Sequence, residues 1–310
     1  MSGQIQIHDV EGDRLVFRQF SNINTQQVFY MTDIALPELT TSQHQLTVEE
    51  QDFIIRIKSG WNMLGFPFDL STVTRIETFN TVSTFVDYPN LPQHIVIPTL
   101  QPITHYVNTN TGQVNIVADS GNHATYSNTG YHAIDTHNTI TVTDLFAGVH
   151  SAGNMIIAKD YLGNAYLPDF NFDGVGGVHR FEGIQYKTHT GTDMILKIRA
   201  KRNHRILTVN GVDMIQFGSY FGIGKGWQLI NNPFYHEVYE SANPPFHTDI
   251  RSVEDVFQIF VEDIIIAKNN SGSAYLPAWN FNGIGDFRAY EAYQLKTVDN
   301  TYHSFFVADL

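Results

Sequence analysis

Residues 156–188 (IIAKDYLGNAYLPDFNFDGVGGVHRFEGIQYKT) recur without a gap as residues 265–297 (IIAKNNSGSAYLPAWNFNGIGDFRAYEAYQLKT), with 17 of 33 positions identical at a constant offset of 109. A chain with such an internal match holds one structural unit twice, and its architecture has to be read in that light. Both copies extend upstream. Gly60-Trp61-Asn62-Met63-Leu64 precedes Pro67-Phe68, and Gly226-Trp227-Gln228-Leu229-Ile230 precedes Pro233-Phe234. Trp227 lies 41 residues before Lys268, whereas Trp61 lies 98 before Lys159, so the first copy carries an insertion of about 57 residues, between about 70 and 141.

The unit reads as mainly β with short helices. An apolar strand enters each Gly-Trp and stops near a proline. In the second copy Ser252 is the expected N-cap of a helix, with Val253, Val256, Phe257 and Phe260 at helical spacing. The first-copy counterpart around Thr143-Asp144-Leu145-Phe146 reads as abbreviated. Then come a buried strand, a turn at Gly163 or Gly272, an Ala-Tyr-Leu-Pro return strand, an Asn-Phe-Asx-Gly loop and a closing strand ending at Thr188 or Thr297. This divides the chain into an N-terminal β region (1–58), a first unit with its β insertion (59–198), a linker with a hairpin at Asn210-Gly211 (199–225) and a second unit (226–310). Within the first region, strands are expected near 5–7, 15–17 and 28–31, and a loop over 37–45.

Charge narrows the partners. With 18 Lys and Arg against 31 Asp and Glu, the chain carries about −13, and counterion-release binding to nucleic acid needs clustered basic residues. The one basic cluster, residues 199–205 (RAKRNHR), reads as a solvated linker. Cysteine is absent, which removes disulfides and thiolate metal sites. The start MSGQIQIHDVEGDR has no secretory pattern, and no apolar run is long enough to span a bilayer, so folding in a cytoplasm without membrane insertion is expected.

Chemistry-bearing patterns are few. Asp169, Asn171 and Asp173, followed by Gly174, match the first half of a calcium loop, but its twelfth position is Arg180 where a bidentate Glu is needed. The second copy offers Ala278, Asn280 and Asn282, so both charges are lost. The shared Asn171/Asn280 and Gly174/Gly283, after Pro168/Pro277, fit a turn whose side chains bond their own backbone. Asp169, Asn171 and Asp173 remain the weak cation candidate, and no resident metal or cofactor is expected. The 14 histidines, His132, His137 and His150 among them, show no metal-ligand spacing. No nucleophile elbow exists, and the glycine-rich 222–226 stretch leads into a strand rather than a helix. No catalytic residue is assigned. Aromatics are left: Trp61 and Trp227 read as core of the repeat, whereas Phe170, Trp279, Tyr166 and Tyr275 are candidates for contact with a partner or a sugar ring.

The series Gly-Trp-Asn/Gln, Ala-Tyr-Leu-Pro, Asn-Phe-Asn/Asp-Gly-Ile/Val-Gly and Tyr-Gln-x-Lys resembles a repeat of structural proteins of marine and cyanobacterial tailed phages, in tail, fibre or virion-surface roles. It also resembles a repeat of some Bacteroidetes surface proteins. The first copy departs by reading Ile184-Gln185-Tyr186. The resemblance implies no catalytic residue. It leads to the expectation of a non-enzymatic phage virion protein, assembled in host cytoplasm and built into the capsid, neck, tail or fibre. Its expected partners are copies of itself and other virion proteins. The alternative is a carbohydrate-binding or adhesion protein that uses the exposed aromatics of the repeat loops on cell-surface glycan.

Overall fold

The computed structural model describes residues 6–7, 17–18, 48–80, 92–108, 114–118, 131–178, 182–209, 212–217, 225–232, 238–239, 246–247 and 252–299. It is mainly β, with antiparallel sheets and short helices. Near the N-terminus β1 (Gln6–Ile7) pairs with β2 (Phe17–Arg18). The strand expected at 28–31 and the loop at 37–45 lie outside the described residues.

The first unit is organised on β13 (Ile184–Arg202), which pairs along most of its length with β3 (Glu50–Leu64). On its other side, β10 (Met155–Lys159) covers the N-terminal half of β13, and β5 (Arg75–Phe79) the C-terminal half. β11 (Ala165–Leu167) and β12 (Phe172–Asp173) extend the sheet beyond β10, β6 (His94–Val96) extends it beyond β5, and β4 (Phe68–Asp69) pairs with the end of β13. Within the insertion, β7 (Leu100–Asn108) lies between β8 (Val114–Ala118) and β9 (Tyr131–Ile140) in a separate three-stranded sheet. The expected boundaries at 58/59 and 198/199 both fall inside strands, β3 and β13.

Helix α1 (Val142–Ser151) closes the core with Val142, Leu145, Phe146 and Val149, all fully buried. It corrects the expectation of an abbreviated first helix: it runs ten residues, whereas α2 (Val253–Phe257) has five and continues as a 3-10 helix over Gln258–Asp263. Thr141 caps it, its side chain accepting from the Asp144 N–H at 2.9 Å. Gly148 does not end the helix. A Cβ there would overlap the Thr78 side chain on β5, so the glycine permits close approach of helix and strand. In α2 the expected cap is observed, Ser252 accepting from the Asp255 N–H at 3.3 Å.

After β13, β14 (His204–Val209) pairs with β15 (Val212–Phe217), Val209 opposite Val212. Residues 199–205 are therefore not a solvated linker: they end one strand and begin the next. Arg199 sits opposite Asp52, where it donates from Nε and Nη2 at 2.7 and 2.8 Å. Those hydrogen bonds hold the Asp52 carboxyl below its ordinary range.

The second unit is the same sheet reduced to five strands, in the order β16 (Gly226–Asn231), β22 (Ala292–Thr297), β19 (Ile264–Lys268), β20 (Ala274–Leu276) and β21 (Phe281–Asn282). Its core packs Val253, Phe257, Phe260, Phe287 and Tyr293. The two-residue pair β17 (Val238–Tyr239) with β18 (Phe246–His247) lies between β16 and α2.

The two units meet reciprocally. Leu64 forms a β-bridge with Glu291, and Ile230, the counterpart of Leu64, bridges Glu182, the counterpart of Glu291. Such exchange of equivalent partners is the signature of a two-fold contact. Met63, Leu229 and Ala292 form a small buried cluster with Tyr161 packed against it, and Gly183 donates to the Leu229 carbonyl at 2.9 Å.

Candidate functional site

Strand alternation decides which repeat residues face solvent. In β3, Phe53, Ile55 and Ile57 face the core on odd numbers. A register shift opposite Gly60, whose φ is +78°, reverses the phase, so that Leu64 faces inward and Trp61 outward. Trp61 and its counterpart Trp227 are 44% and 49% exposed, which corrects their assignment to the core. Tyr166 and Tyr275, expected at a contact surface, are instead core residues, 5% and 4% exposed. Each lies in the middle of a three-residue return strand, opposite the fully buried Ala158 or Ala267, so alternation turns it inward.

The residues between these pairs form a row across each sheet. In the first unit Trp61 pairs with Lys187 and Lys187 with Ile157. Leu167 lies on the same face of β11 and pairs with Phe172. In the second unit Trp227 pairs with Lys296, Lys296 with Ile266, and Leu276 with Phe281. The five residue types are identical in the two rows: Trp, Lys, Ile, Leu, Phe. A second row on each face carries Gln185, Lys159 and Ala165, or Gln294, Lys268 and Ala274, again identical. Two ammonium groups flank each indole. Lys159 and Lys187 lie 5.8 and 5.7 Å from the Trp61 ring centroid, and Lys268 and Lys296 lie 5.8 and 5.6 Å from that of Trp227. Those separations are within cation–π reach.

The inner face is kept in part: Ala158/Ala267 and Tyr166/Tyr275 are identical, whereas Val178, Ile184 and Tyr186 in one core correspond to Phe287, Tyr293 and Leu295 in the other. Core positions drift when volume is compensated, whereas isolated surface positions tolerate change within about 0.5 kcal/mol. A young duplication would have left both faces alike. Strand propensity accounts for aromatic and β-branched residues, not for Lys and Gln held at fixed registers. The signal of the outward face was present in the sequence: Gln185 and Lys187 are kept between the copies while 184 and 186 vary. The four lysines and Phe281 were missed because the phase of each strand was not known.

The loop beside each row is built alike. Pro168 and Pro277 open a single 3-10 turn, and Asn171 and Asn280 close it in the left-handed region at φ +49°. Asp173 Oδ1 accepts from the Val175 and Gly176 N–H groups, and Asn282 Oδ1 accepts equivalently from Ile284 and Gly285. Only an Oδ acceptor is required there, so Asp and Asn interchange. The other Asp173 oxygen accepts from the Thr143 hydroxyl at 2.8 Å, and Asp169 lies 3.8 Å from His150, so the weak cation candidates do not converge. Gly174 and Gly283 donate to the Ala165 and Ala274 carbonyls at 2.8 Å. A Cβ on either would press on the ring of Phe172 or Phe281. Phe170 and Trp279 project from these turns at 79% and 78% exposure.

Acidic groups with raised pKa gather at the junction of the units. Burial, then the charge of Asp160, pushes Glu182 well above the ordinary carboxyl range. Burial also raises Asp160, whose carboxylate accepts from Asn164 N–H and Nδ2, and raises Tyr161. The Glu182 Oε2 is enclosed, and Asp160 is buried, so these groups serve the contact rather than an open cleft. Among the described residues no group of three or more His, Asp or Glu comes together as a metal site, and no helix is long and apolar enough to cross a membrane. Comparison with protein-family models, with curated proteins and with solved structures finds no match to this chain.

Proposed function

We propose that this chain is a non-enzymatic structural protein of a tailed-phage virion that acts through subunit–subunit interfaces. The observation that carries the reading is the pair of identical outward rows. A chain that presents one aromatic–lysine surface twice is suited to repeated contact in an ordered assembly, where each surface meets an equivalent partner. The resemblance of the repeat to tail, fibre and virion-surface proteins supplies the setting. Mass spectrometry of purified particles from a host lysate tests it: the chain is expected at a fixed copy number per particle, and its absence from particles refutes the reading.

A second reading is favoured by the exposure of Phe170 and Trp279. These rings project from rigid turns and could stack on the apolar face of a sugar. A glycan array with the wild type and Phe170→Ala/Trp279→Ala separates the two. Saturable binding that is lost in the variant, from a chain absent from particles, favours adhesion.

A further inference from the structure

We propose that the two tryptophan–lysine rows dock this chain onto an acidic surface of a second copy of itself. The inference rests on the assembly role proposed above and names the surface and the partner.

Part of this face already carries the contact between the two units of one chain. Met63 and Leu229 lie on the same outward faces as Trp61 and Trp227, two residues along the same strands, and they are buried against each other at the junction of the units. The rows continue this face beyond the part that the internal contact covers. A surface that binds one copy of the unit within the chain has the chemistry to meet another copy between chains.

Charge selects the orientation. Each row and its neighbour carry two ammonium groups and no carboxylate, on a chain with 31 acidic and 18 basic residues. Row against row would oppose four ammonium groups, and like-charge juxtaposition is disfavoured. An acidic acceptor exists on the same chain. Beside α2, Glu254, Asp255, Gln258 and Asn280 line an open depression of about 290 Å³ together with Val261, Tyr275 and Pro277. An indole flanked by ammonium groups complements that combination of carboxylates and apolar surface. Because row and depression are different surfaces, the contact is head-to-tail, and repetition gives rings or filaments. A row crossing five strands is roughly 19 Å long, which is less than the about 800 Å² per partner of a standard interface requires. The pairwise contact is therefore weak and salt-sensitive, and strengthens in an array.

The test is sedimentation velocity of the full chain over a range of protein concentration, at low and high salt. Lys187→Glu/Lys296→Glu and Glu254→Lys/Asp255→Lys are compared with wild type, and thermal melts confirm that each variant is folded. Wild type is expected to self-associate at low salt and to dissociate at high salt. Each variant alone should associate at least tenfold more weakly. An equimolar mixture of the two should regain association, since the carboxylates introduced at 187 and 296 then meet the ammonium groups introduced at 254 and 255. A wild type that stays monomeric, or one whose association the row variant leaves unchanged, overturns the proposal. So does a mixture that does not recover. If the monomeric wild type instead binds a soluble polyuronate through Lys187 and Lys296, the occupant is an acidic glycan and the proposal fails. Association that ignores the row, in a chain still found in particles, removes this surface and leaves the assembly role standing; absence from particles removes that role.

Discussion

Gly183→Ala tests the reciprocal contact between the units. Gly183 does not occupy the left-handed region, so its replacement carries no backbone strain. In an open position Ala would stabilise by about 0.4–1 kcal/mol, through loss of unfolded-state freedom, with some further gain from burying a methyl group. The position is not open. A Cβ there overlaps the Cβ of Ala292 and lies 3.0 Å from the Leu64 carbonyl oxygen and 3.2 Å from Leu229 Cγ. The backbone of both units must part to admit it, and overpacking of this kind costs about 1–3 kcal/mol. At roughly 2 °C per kcal/mol for a chain of this size, the melting temperature should fall by about 2–6 °C. Ala292 is the two-fold counterpart of Gly183, so Ala292→Gly in the same chain removes the overlapping methyl. The double variant should recover most of the loss, with a coupling of about 1 kcal/mol or more in a double-mutant cycle. Thermal and denaturant unfolding of the four proteins measures it. Gly183→Ala as stable as wild type, or strictly additive effects, would show that the units do not press together here.

Two further outcomes follow from local geometry. In the fold Glu182 holds its proton to higher pH than in the unfolded chain, so the native state binds more protons and stability falls as pH rises above the unfolded carboxyl pKa of about 4.3. Glu182→Gln should flatten that fall and be more stable than wild type at pH 8, and parallel pH profiles would contradict the burial argument. Asn171 occupies the left-handed region at φ +49° with an exposed side chain, so Asn171→Ala should lose about 1 kcal/mol in urea unfolding whereas Asn171→Gly stays near wild type; equal losses would remove the backbone explanation.

Local signals in the sequence located most elements of the repeat, because hairpin turns, the Ser252 cap and the Asn-Phe-Asx-Gly loop are determined within a few residues of themselves. The misreadings share a different physics. The bulge opposite Gly60 reverses which side Trp61 takes, and it depends on pairing with residues 188–193, far along the chain. The first helix reads as abbreviated around Thr143-Asp144-Leu145-Phe146, yet it continues through Gly148, where Thr78 of β5 packs close. Residues 199–205 look like a solvated basic linker until Asp52, 147 residues away, is placed opposite Arg199. The row itself was hidden for the same reason: without strand phase, retained Trp, Ile, Leu and Phe read as core.

The asymmetry between the units bears on why both rows stay uncovered. β3 and β13 run 15 and 19 residues, whereas their counterparts β16 and β22 have six each. All of the added length lies at the Glu50 end of β3 and the Arg202 end of β13, where β4 and β5 join them. The inter-unit bridges form near the opposite ends, at Leu64 and Glu182. Trp61 and Lys187 lie between, on the contact side of the register shift. Growth of the first unit therefore left both the two-fold contact and the row unaltered, while the inner face was free to repack. Lys159, Lys187, Lys268 and Lys296 keep their places in both units although no core contact depends on them, which is what the proposed repeated contact requires.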